Sequence, residues 1–562
     1  MSEDLSSAPA AIPSSVPAPI PASVPALIPG PTSLTMLADG VTLTDGLQIE
    51  APEELAPIAR WFRRVVEQAS NWRVELAHPE APSRSQIRLV LEPPAGPEAD
   101  AARRRSDDGY RLRVADDAVT VAGRSPAGVF HGLQTLRQLL PDSWWRSAAG
   151  ELAPSVELTG MEISDEPVFS WRGVHLDASR HFLPKGFVLK LIDLISMHKF
   201  NVLHLHLTDD QGWRFPVEAY PRLVEVGAWR RESPVGADDE EGGDGQPHGG
   251  FYSADDLREI VAYASERFVH VLPEIDMPGH MVAAIASYPE LGNSSEPCEV
   301  LTTWGISPHV LNLEEATVKF CTDVLDAVID VFPWDYVHVG GDECPTTEWE
   351  ASETAQRLMV AEGFETEQEL QGWFTARMAQ HLSERGRVLV GWDEILERGA
   401  PAGAVVVSWR GKEGGVEGVN AGHDVVMAAQ QWLYLDHAYA DDPREPLAMH
   451  PATSLERVWS FDPVPESVAE ARRHQILGAQ CQLWTEYVSS SEHAEYLYFP
   501  RVCAFSEVVW RGPAAGDPVG SRSFEEFEKR LRRHLGRLDA VGVNYRPLEG
   551  PTPGQSRIWS RE

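Results

Sequence analysis

The stretch Trp334-Asp335-Tyr336-Val337-His338-Val339-Gly340-Gly341-Asp342-Glu343 decides how the rest of this chain is read. Tyr336–Val339 is a short apolar run in which Val337 and Val339 share one strand face, and the glycine pair behind it permits a tight turn or a close approach to a ligand. Two consecutive carboxylates then leave the strand end. Ionising both of two neighbouring acids is costly, which lifts the proton affinity of one toward the range a general acid needs. A solvated acidic turn would carry the same letters, so the choice rests on what surrounds the stretch.

Working outward, the same pattern recurs. Short apolar runs that end in polar or aromatic residues lie at Gly173–Leu176, Val202–Leu207, Phe268–Pro273, Tyr336–Val339, Val388–Val390, Ala404–Val407, Val425–Ala428 and Ile476–Gln480. Between them, apolar residues at i, i+3, i+4 spacing predict helices over Pro184–Lys199, Ala254–Arg267, Glu314–Val331 and Glu367–Arg385. Gly411–Gly422 is glycine-rich and offers a short helix at best. About eight strand-helix units point to an α/β fold, a (β/α)8 TIM barrel over residues 168–545. Residues 36–167 read as a small α+β domain, with helices over Glu53–Ala69 and Pro126–Leu140 and strands at Ile87–Leu91, Tyr110–Val114 and Val119–Gly123. Residues 1–35 form a Pro/Ala/Ser tract without periodicity, expected to be a disordered tail with folding starting near Leu37, and 546–562 a C-terminal tail.

Composition excludes several functions. The 562 residues are 43% hydrophobic and carry 85 acidic against 48 basic side chains, a net charge of -37 that repels nucleic acid and anionic membranes. Acid stands at Glu3 and Asp4, and proline interrupts each apolar stretch from Pro9 to Pro31, so no export signal is read and a cytoplasmic location is expected. No apolar run is long enough to span a bilayer. Cys298, Cys321, Cys344, Cys481 and Cys503 are widely spaced and form no CxxC pair, which speaks against a zinc finger or a disulfide scaffold and leaves one bridge open.

In such a barrel the site gathers at the C-terminal strand ends. There stand Asp177 and Arg180, Asp209 and Asp210, Glu274, Asp276 and His280, Asp342 and Glu343, Trp392, Asp393 and Glu394, Trp409, Tyr434 and Asp436, and Trp484 and Glu486. Indole faces stack on the C–H faces of a sugar ring, while carboxylates and arginine bind its hydroxyls, so the set suits a carbohydrate better than a phosphate or an acyl chain.

Ser179-Arg180-His181-Phe182, Leu205-His206-Leu207-Thr208-Asp209-Asp210-Gln211-Gly212-Trp213, Pro273-Glu274-Ile275-Asp276-Met277-Pro278-Gly279-His280, His338-Val339-Gly340-Gly341-Asp342-Glu343 and Leu483-Trp484-Thr485-Glu486 resemble, in order, the motifs of glycoside hydrolase family 20, the β-N-acetylhexosaminidases. The preceding α+β unit resembles that family's usual N-terminal domain. The resemblance implies an exo-acting retaining glycosidase that removes terminal non-reducing β-linked N-acetylglucosamine or N-acetylgalactosamine, the substrate's own 2-acetamido oxygen acting as nucleophile through an oxazoline-type intermediate. It further implies that Glu343 is the general acid and base and that Asp342 orients the acetamido N–H. Tyr434 would donate to the acetamido oxygen and Trp392, Trp409 and Trp484 would wall the site. Arg180 and Glu486 would grip hydroxyls at the non-reducing end and Asp436 the C6 hydroxyl, while Asp209 and His280 would link to Glu343. No cofactor and no metal are implied, and the partner is a small carbohydrate such as a chitin fragment, glycan terminus, glycolipid headgroup or peptidoglycan fragment.

Two other classes remain on the residues alone. His204 and His206 share one strand face, a spacing that binds metal, so His204, His206, His280 and Asp342 would serve a metal-dependent hydrolase; packed layer histidines are the plainer reading. A non-catalytic sugar-binding protein would have to lack the acid or the acetamido-orienting residue, and both are present. The acidic run Asp238–Glu241 reads as a solvated loop.

Overall fold

The computed structural model describes residues 25–79, 86–93, 107–146, 152–236, 242–294, 297–513 and 523–551. The tail before Pro25 and the acidic run Asp238–Glu241 therefore lie outside the described residues.

The first unit is a seven-stranded mixed sheet whose order across is Ser33–Met36, Met161–Asp165, Tyr110–Ala115, Ala118–Gly123, Ile87–Leu91, Leu47–Glu50 and Val74–Ala77. Ile87–Leu91 and Tyr110–Val114 alternate buried and exposed residues, as strands with one packed face do. The packed face meets helices Ala56–Ser70 and Pro126–Leu139, where Trp61 lies 4.6 Å from Phe130 between ring centroids. The shorter strands Val41–Leu43, Leu47–Glu50 and Val74–Ala77 carry too few residues for a period to register in the sequence, while Met161–Asp165 was not anticipated although it alternates as Ile87–Leu91 does.

The second unit is a closed barrel of eight parallel strands: Trp171–Asp177, Val202–His206, His270–Glu274, Tyr336–His338, Val388–Trp392, Val405–Ser408, Asp424–Met427 and Ile476–Cys481. The last pairs with the first, Gly478 opposite Trp171. Helices Lys185–Met197, Ala254–Ser265, Glu315–Val331, Gln368–Glu384 and Glu413–Ala421 connect them. The second of these starts at a capping box, in which Ser253 and Asp256 each accept the other's backbone N–H. Alternation sorts the strand residues. Leu203, Leu205, Val337 and Val339 join the core under the helices, while Trp171, Val202, Leu272, Val390, Val405 and Val426 fill the barrel interior. The third strand begins at His270 instead of Phe268, because Phe268 has φ 57, a left-handed conformation no strand adopts, and its ring packs 5.3 Å from Phe130 of the first unit. Helices Thr347–Ala351, Glu353–Glu362, Ser491–Tyr498, Arg501–Arg511 and Phe524–Val541, with the shorter Arg222–Glu225, Val282–Ser287, Gln430–Leu433 and Leu455–Trp459, were not anticipated. None of the helices among the described residues is long and apolar enough to cross a membrane.

The two units share buried charge. Lys199 Nζ lies 2.9 Å from Asp165 Oδ2 and donates to the Tyr110 hydroxyl at 2.8 Å, and Arg172 Nη2 lies 2.7 Å from Asp108 Oδ2. The expected disordered tail of residues 1–35 needs correction where it is described. Leu27 and Ile28 are buried, Ser33–Met36 is a strand, and the backbone between is held by side chains from elsewhere. Gln138 both donates to Ile28 O at 2.7 Å and accepts the Ile28 N–H at 2.9 Å, Gly30 N–H donates to Glu507 at 2.7 Å, and Arg530 and Arg537 donate to Leu27 O and Ala26 O at 2.6 and 2.8 Å. Two aliphatic side chains suffice to seat a proline-rich strap when its carbonyls are met this way, and such a pattern has no period to read. At the other end, Arg546 N–H donates to Phe499 O at 2.9 Å and its side chain to Glu445 at 2.8 Å, so order continues past 545. Cys321, Cys481 and Cys503 are buried thiols.

If the strap belongs to the core, Ile28→Ala costs about 2–5 kcal/mol, the range for truncating a buried aliphatic side chain. Chemical denaturation reads it as a lowered midpoint; an unchanged midpoint would mean that residues 25–30 do not contribute to the fold.

Candidate active site

The fourth barrel strand stops at His338, and the chain then wraps over a carboxylate of its neighbour. Gly340 and Gly341 have φ 65 and 93, and a Cβ on Gly340 would stand 1.6 Å from Asp276 Oδ1. That same oxygen accepts the Gly341 N–H at 3.1 Å, while Gly341 O accepts from Gln371 Nε2 at 2.7 Å. The glycine pair is thus needed for close approach to Asp276. Glu343 follows with φ 44, a strained conformation for a residue with a side chain. Strand alternation would have pointed Asp342 and Glu343 apart, but in this turn both reach the same imidazole. His280 Nε2 lies 3.8 Å from Asp342 Oδ2 and 3.6 Å from Glu343 Oε2, just outside direct hydrogen-bond distance.

Asp342 is buried and Oδ1 has no hydrogen-bond partner, whereas the Glu343 side chain is 34% exposed. Burial lifts the Asp342 carboxyl above its usual range, with Glu274 and Glu343 adding and His280 opposing. Asp276 is lifted well above by burial and by the Asp342 charge. Burial and the Asp342 charge therefore favour the protonated form of Asp276 over that of its neighbour.

His280, itself at φ 53, puts Nδ1 3.2 Å from Asp209 Oδ1 and 3.5 Å from Asp210 Oδ2. Burial works against its cation, but Asp209, Asp210 and Glu343 outweigh that and hold its pKa well above the ordinary value. Asp209 also meets Arg180, whose Nη2 is 2.8 Å from Oδ2. Arg180 Nη1 is 3.4 Å from Asp177 Oδ2, and its guanidinium lies 4.9 Å from the Trp484 ring centre. Asp177 in turn accepts the backbone N–H groups of Ser179, Arg180 and Thr485, joining the ends of the first and last strands.

Aromatic rings line the remaining side. Trp392 and Trp484 lie 5.8 Å apart, Tyr434 is 6.3 Å from Trp484, and Trp409 stacks on Tyr434 at 6.1 Å and 24°. The Trp392 indole N–H donates to Glu274 Oε1 at 2.9 Å and that of Trp409 to Glu394 Oε2 at 2.9 Å. Glu394 is pushed up to about 9 by burial and by the charges of Asp342 and Asp393. Asp393 is tied to Arg410 Nε at 3.0 Å and so holds structure. Burial first, and then nearby carboxylates, keep the Tyr434 hydroxyl protonated. Asp436 is buried with Oδ1 unpartnered, its pKa well above the usual range through burial and the facing Glu486; Glu486 is raised by burial against the pull of Arg180.

Arg180, Asp209, His280, Asp342, Glu343, Trp392, Trp409, Tyr434, Asp436, Trp484 and Glu486 therefore form one constellation at the C-terminal mouth of the barrel, each from the end of a strand or the loop after it. The four donors imagined for a metal hydrolase do not meet. His204 gathers with Glu274 and His338, His206 with Glu274 and His175, and His280 and Asp342 with Asp276. Sequence reasoning placed Glu274 and Asp276 at a strand end without a role, and it missed His338, Gln371 and Gln480. The inward-facing end of Tyr336–His338 was the available signal for His338, and nothing in the sequence marks Gln371, which reaches the turn from an outer helix.

The family model described as "Glycosyl hydrolase family 20, catalytic domain" matches residues 169–513, and "Glycosyl hydrolase family 20, domain 2" matches 24–166. A β-hexosaminidase of Porphyromonas gingivalis is 38% identical over 94% of this chain, which spans 65% of that protein's length. A β-N-acetylhexosaminidase of Cellulomonas fimi is 30% identical, with 91% of this chain and 93% of that protein covered. A solved exo-β-N-acetylglucosaminidase of Vibrio harveyi in complex with N-acetylglucosamine superposes with a TM-score of 0.81 at 29% identity, covering 94% of this chain and 80% of that one. With strand-end carboxylates, aromatic wall and both domains in place, the chain belongs to glycosyl hydrolase family 20.

Proposed function

We infer that the protein is an exo-acting, retaining β-N-acetylhexosaminidase that removes a terminal β-linked N-acetylglucosamine or N-acetylgalactosamine by substrate-assisted catalysis. The observation that carries the reading is the buried, unpartnered Asp342 Oδ1 beside the partly exposed Glu343 in one strained turn. A buried acceptor without a donor is costly, and an amide N–H from the ligand would satisfy it.

With a sugar in the mouth of the barrel, the acetamido group enters between Trp392, Trp409 and Trp484. Asp342 accepts its N–H, and the protonated Tyr434 donates to its carbonyl oxygen. The amide oxygen attacks the anomeric carbon from below while Glu343 delivers a proton to the departing oxygen. Asp342 balances the charge that develops on the amide nitrogen, and Asp276, holding its own proton, keeps Asp342 available as acceptor. Glu343 next takes a proton from water, which opens the oxazoline ring from the opposite face and leaves the anomeric configuration unchanged. The other retaining route would place a nucleophilic carboxylate about 5–5.5 Å from the acid. Glu394, protonated below about 9 and engaged by Trp409, is unsuited to attack. Arg180, Glu486 and Asp436 would bind the hydroxyls of the non-reducing end, and a closed end of that kind supports exo-action. Complexes of relatives with N-acetylglucosamine support the sugar class.

Glu343→Gln is expected to lower kcat on an aryl β-N-acetylglucosaminide by on the order of 10²–10⁴-fold, the usual contribution of a general acid. Asp342→Asn is expected to be severely impaired as well, and full activity in Glu343→Gln would sink the assignment of the acid. An aryl β-N-acetylglucosaminide should be cleaved while the matching β-glucoside, which lacks the nucleophile, is not; equal rates on the two would rule out assistance by the acetamido group.

A further inference from the structure

Below the pocket the barrel interior changes from apolar to charged. Glu274, fully buried at the end of the third strand, uses both carboxylate oxygens there. Oε1 accepts the Trp392 indole N–H at 2.9 Å and lies 2.9 Å from His338 Nδ1, which also receives the backbone N–H of Gly340 at 3.0 Å. Oε2 lies 2.5 Å from His206 Nδ1 and 3.0 Å from His204 Nε2. The other nitrogen of His206 faces Asp209 Oδ2 at 3.0 Å.

We propose that Glu274 is a positioning residue for the reaction: one buried carboxylate that fixes the wall of the acetamide pocket through Trp392 and, through His206, Asp209 and His280, the arm that serves the acid. The proposal rests on the roles inferred above for Trp392 and Glu343. An imidazole with a carboxylate at each nitrogen needs a proton on both, so the geometry makes His206 a cation. Burial opposes that charge, yet Glu274 and Asp209 raise its pKa well above the ordinary value, and Glu274 is held well below its own range by His338, His206 and His204 despite its burial. His204 is different. Its Nδ1 accepts from Gln480 Nε2 at 2.8 Å and burial brings it down to about 4, so it remains neutral, its Nε2 lying 3.0 Å from Glu274. The result is a line of alternating charge: Glu274 negative, His206 positive, Asp209 negative, then Arg180 and His280 positive.

Stability alone does not account for this line. Apolar side chains of equal volume hold a barrel interior as well as buried ion pairs do, often better. What an apolar filling cannot do is hold an indole N–H directly, and a relay carboxylate through His206, on the same two oxygens. Glu274 sits where the acetamido group and the acid would otherwise be placed independently, and misplacing reacting groups by about 1 Å costs on the order of 10²-fold in rate.

Leaving-group dependence separates the two arms. A 2,4-dinitrophenyl leaving group departs without a proton, so a defect confined to the acid arm is rescued by it, whereas a misplaced acetamide is not. Glu274→Gln, which keeps the shape and removes the charge, is expected to lower kcat by about 10–100-fold on both a 4-methylumbelliferyl and a 2,4-dinitrophenyl β-N-acetylglucosaminide. His206→Asn, which leaves Trp392 bound to Glu274, should lose activity on the first substrate and regain most of it on the second. If Glu274→Gln does not fold, Trp392→Phe removes the indole donor alone and should show the leaving-group-independent loss. Wild-type-like kcat in Glu274→Gln, or loss that the better leaving group fully rescues in both Glu274→Gln and Trp392→Phe, overturns the proposal. These outcomes are read in an enzyme whose wild type has first been shown to require the acetamido group, so failure of the proposal is distinct from failure of the functional reading.

Discussion

The space that Gly340 leaves open is the constraint on which the site depends. Asp276 Oδ1 occupies the position a Cβ would need, and it binds the next backbone N–H, so the chain can pass only without a side chain. The fourth strand is cut short at His338 as a consequence, and its continuation becomes a turn draped over the Asp276 carboxyl. Two adjacent residues that a strand would have sent to opposite faces are thereby turned toward one histidine. The positive φ of Glu343 is part of the same arrangement, and Gln371 secures it from the helix layer. Strain of this kind persists where the surroundings over-determine it.

A second regularity is how the carboxylates at the mouth divide. Asp209 and Glu274 keep their charge because cations lie against them, with Arg180 and His280 on the first and His206 on the second. Asp276, Glu394 and Asp436 are pushed the other way by burial and by each other's neighbours. A chain with net charge -37 could not pack so many acids around one pocket if all were ionised. Separating them into paired anions and protonated donors lets the pocket present both acceptors and donors to a sugar.

Much of this was legible in the sequence, for identifiable reasons. A fully buried parallel strand is a continuous apolar run with a polar end, and that signal survives even for the three residues Tyr336–His338. The strand ends therefore named the mouth residues, among them Arg180, Asp209, His280, Trp392 and Glu486, before any geometry was available. Spacing did not reveal which of them touch. Glu274 and His206 stand in the same runs as their apolar neighbours, and only closure of the barrel turns Trp392 toward one and Asp209 toward the other. Phe268 misled because an aromatic before a strand looks like part of it until its left-handed backbone is seen. The strap at Leu27 and Ile28 was hidden because its order is supplied by Gln138, Glu507, Arg530 and Arg537, all far away in the chain.

That strap also bears on how the molecule is made. Leu27 O is met by Arg530, 503 positions later, and Ala26 O by Arg537, 511 positions later. During synthesis the early segment can meet Gln138 and the strand Met161–Asp165 first, but the carbonyls of Ala26 and Leu27 stay unmet until the helix Phe524–Val541 has left the ribosome, by which time the sheet unit and the barrel can both have formed. The longest loop closure in the described chain is then among the last, a latch drawn across two finished bodies. Reordering the chain so that these two segments are covalent neighbours would let the latch form early, shortening the interval during which the carbonyls of Ala26 and Leu27 wait for their arginine donors.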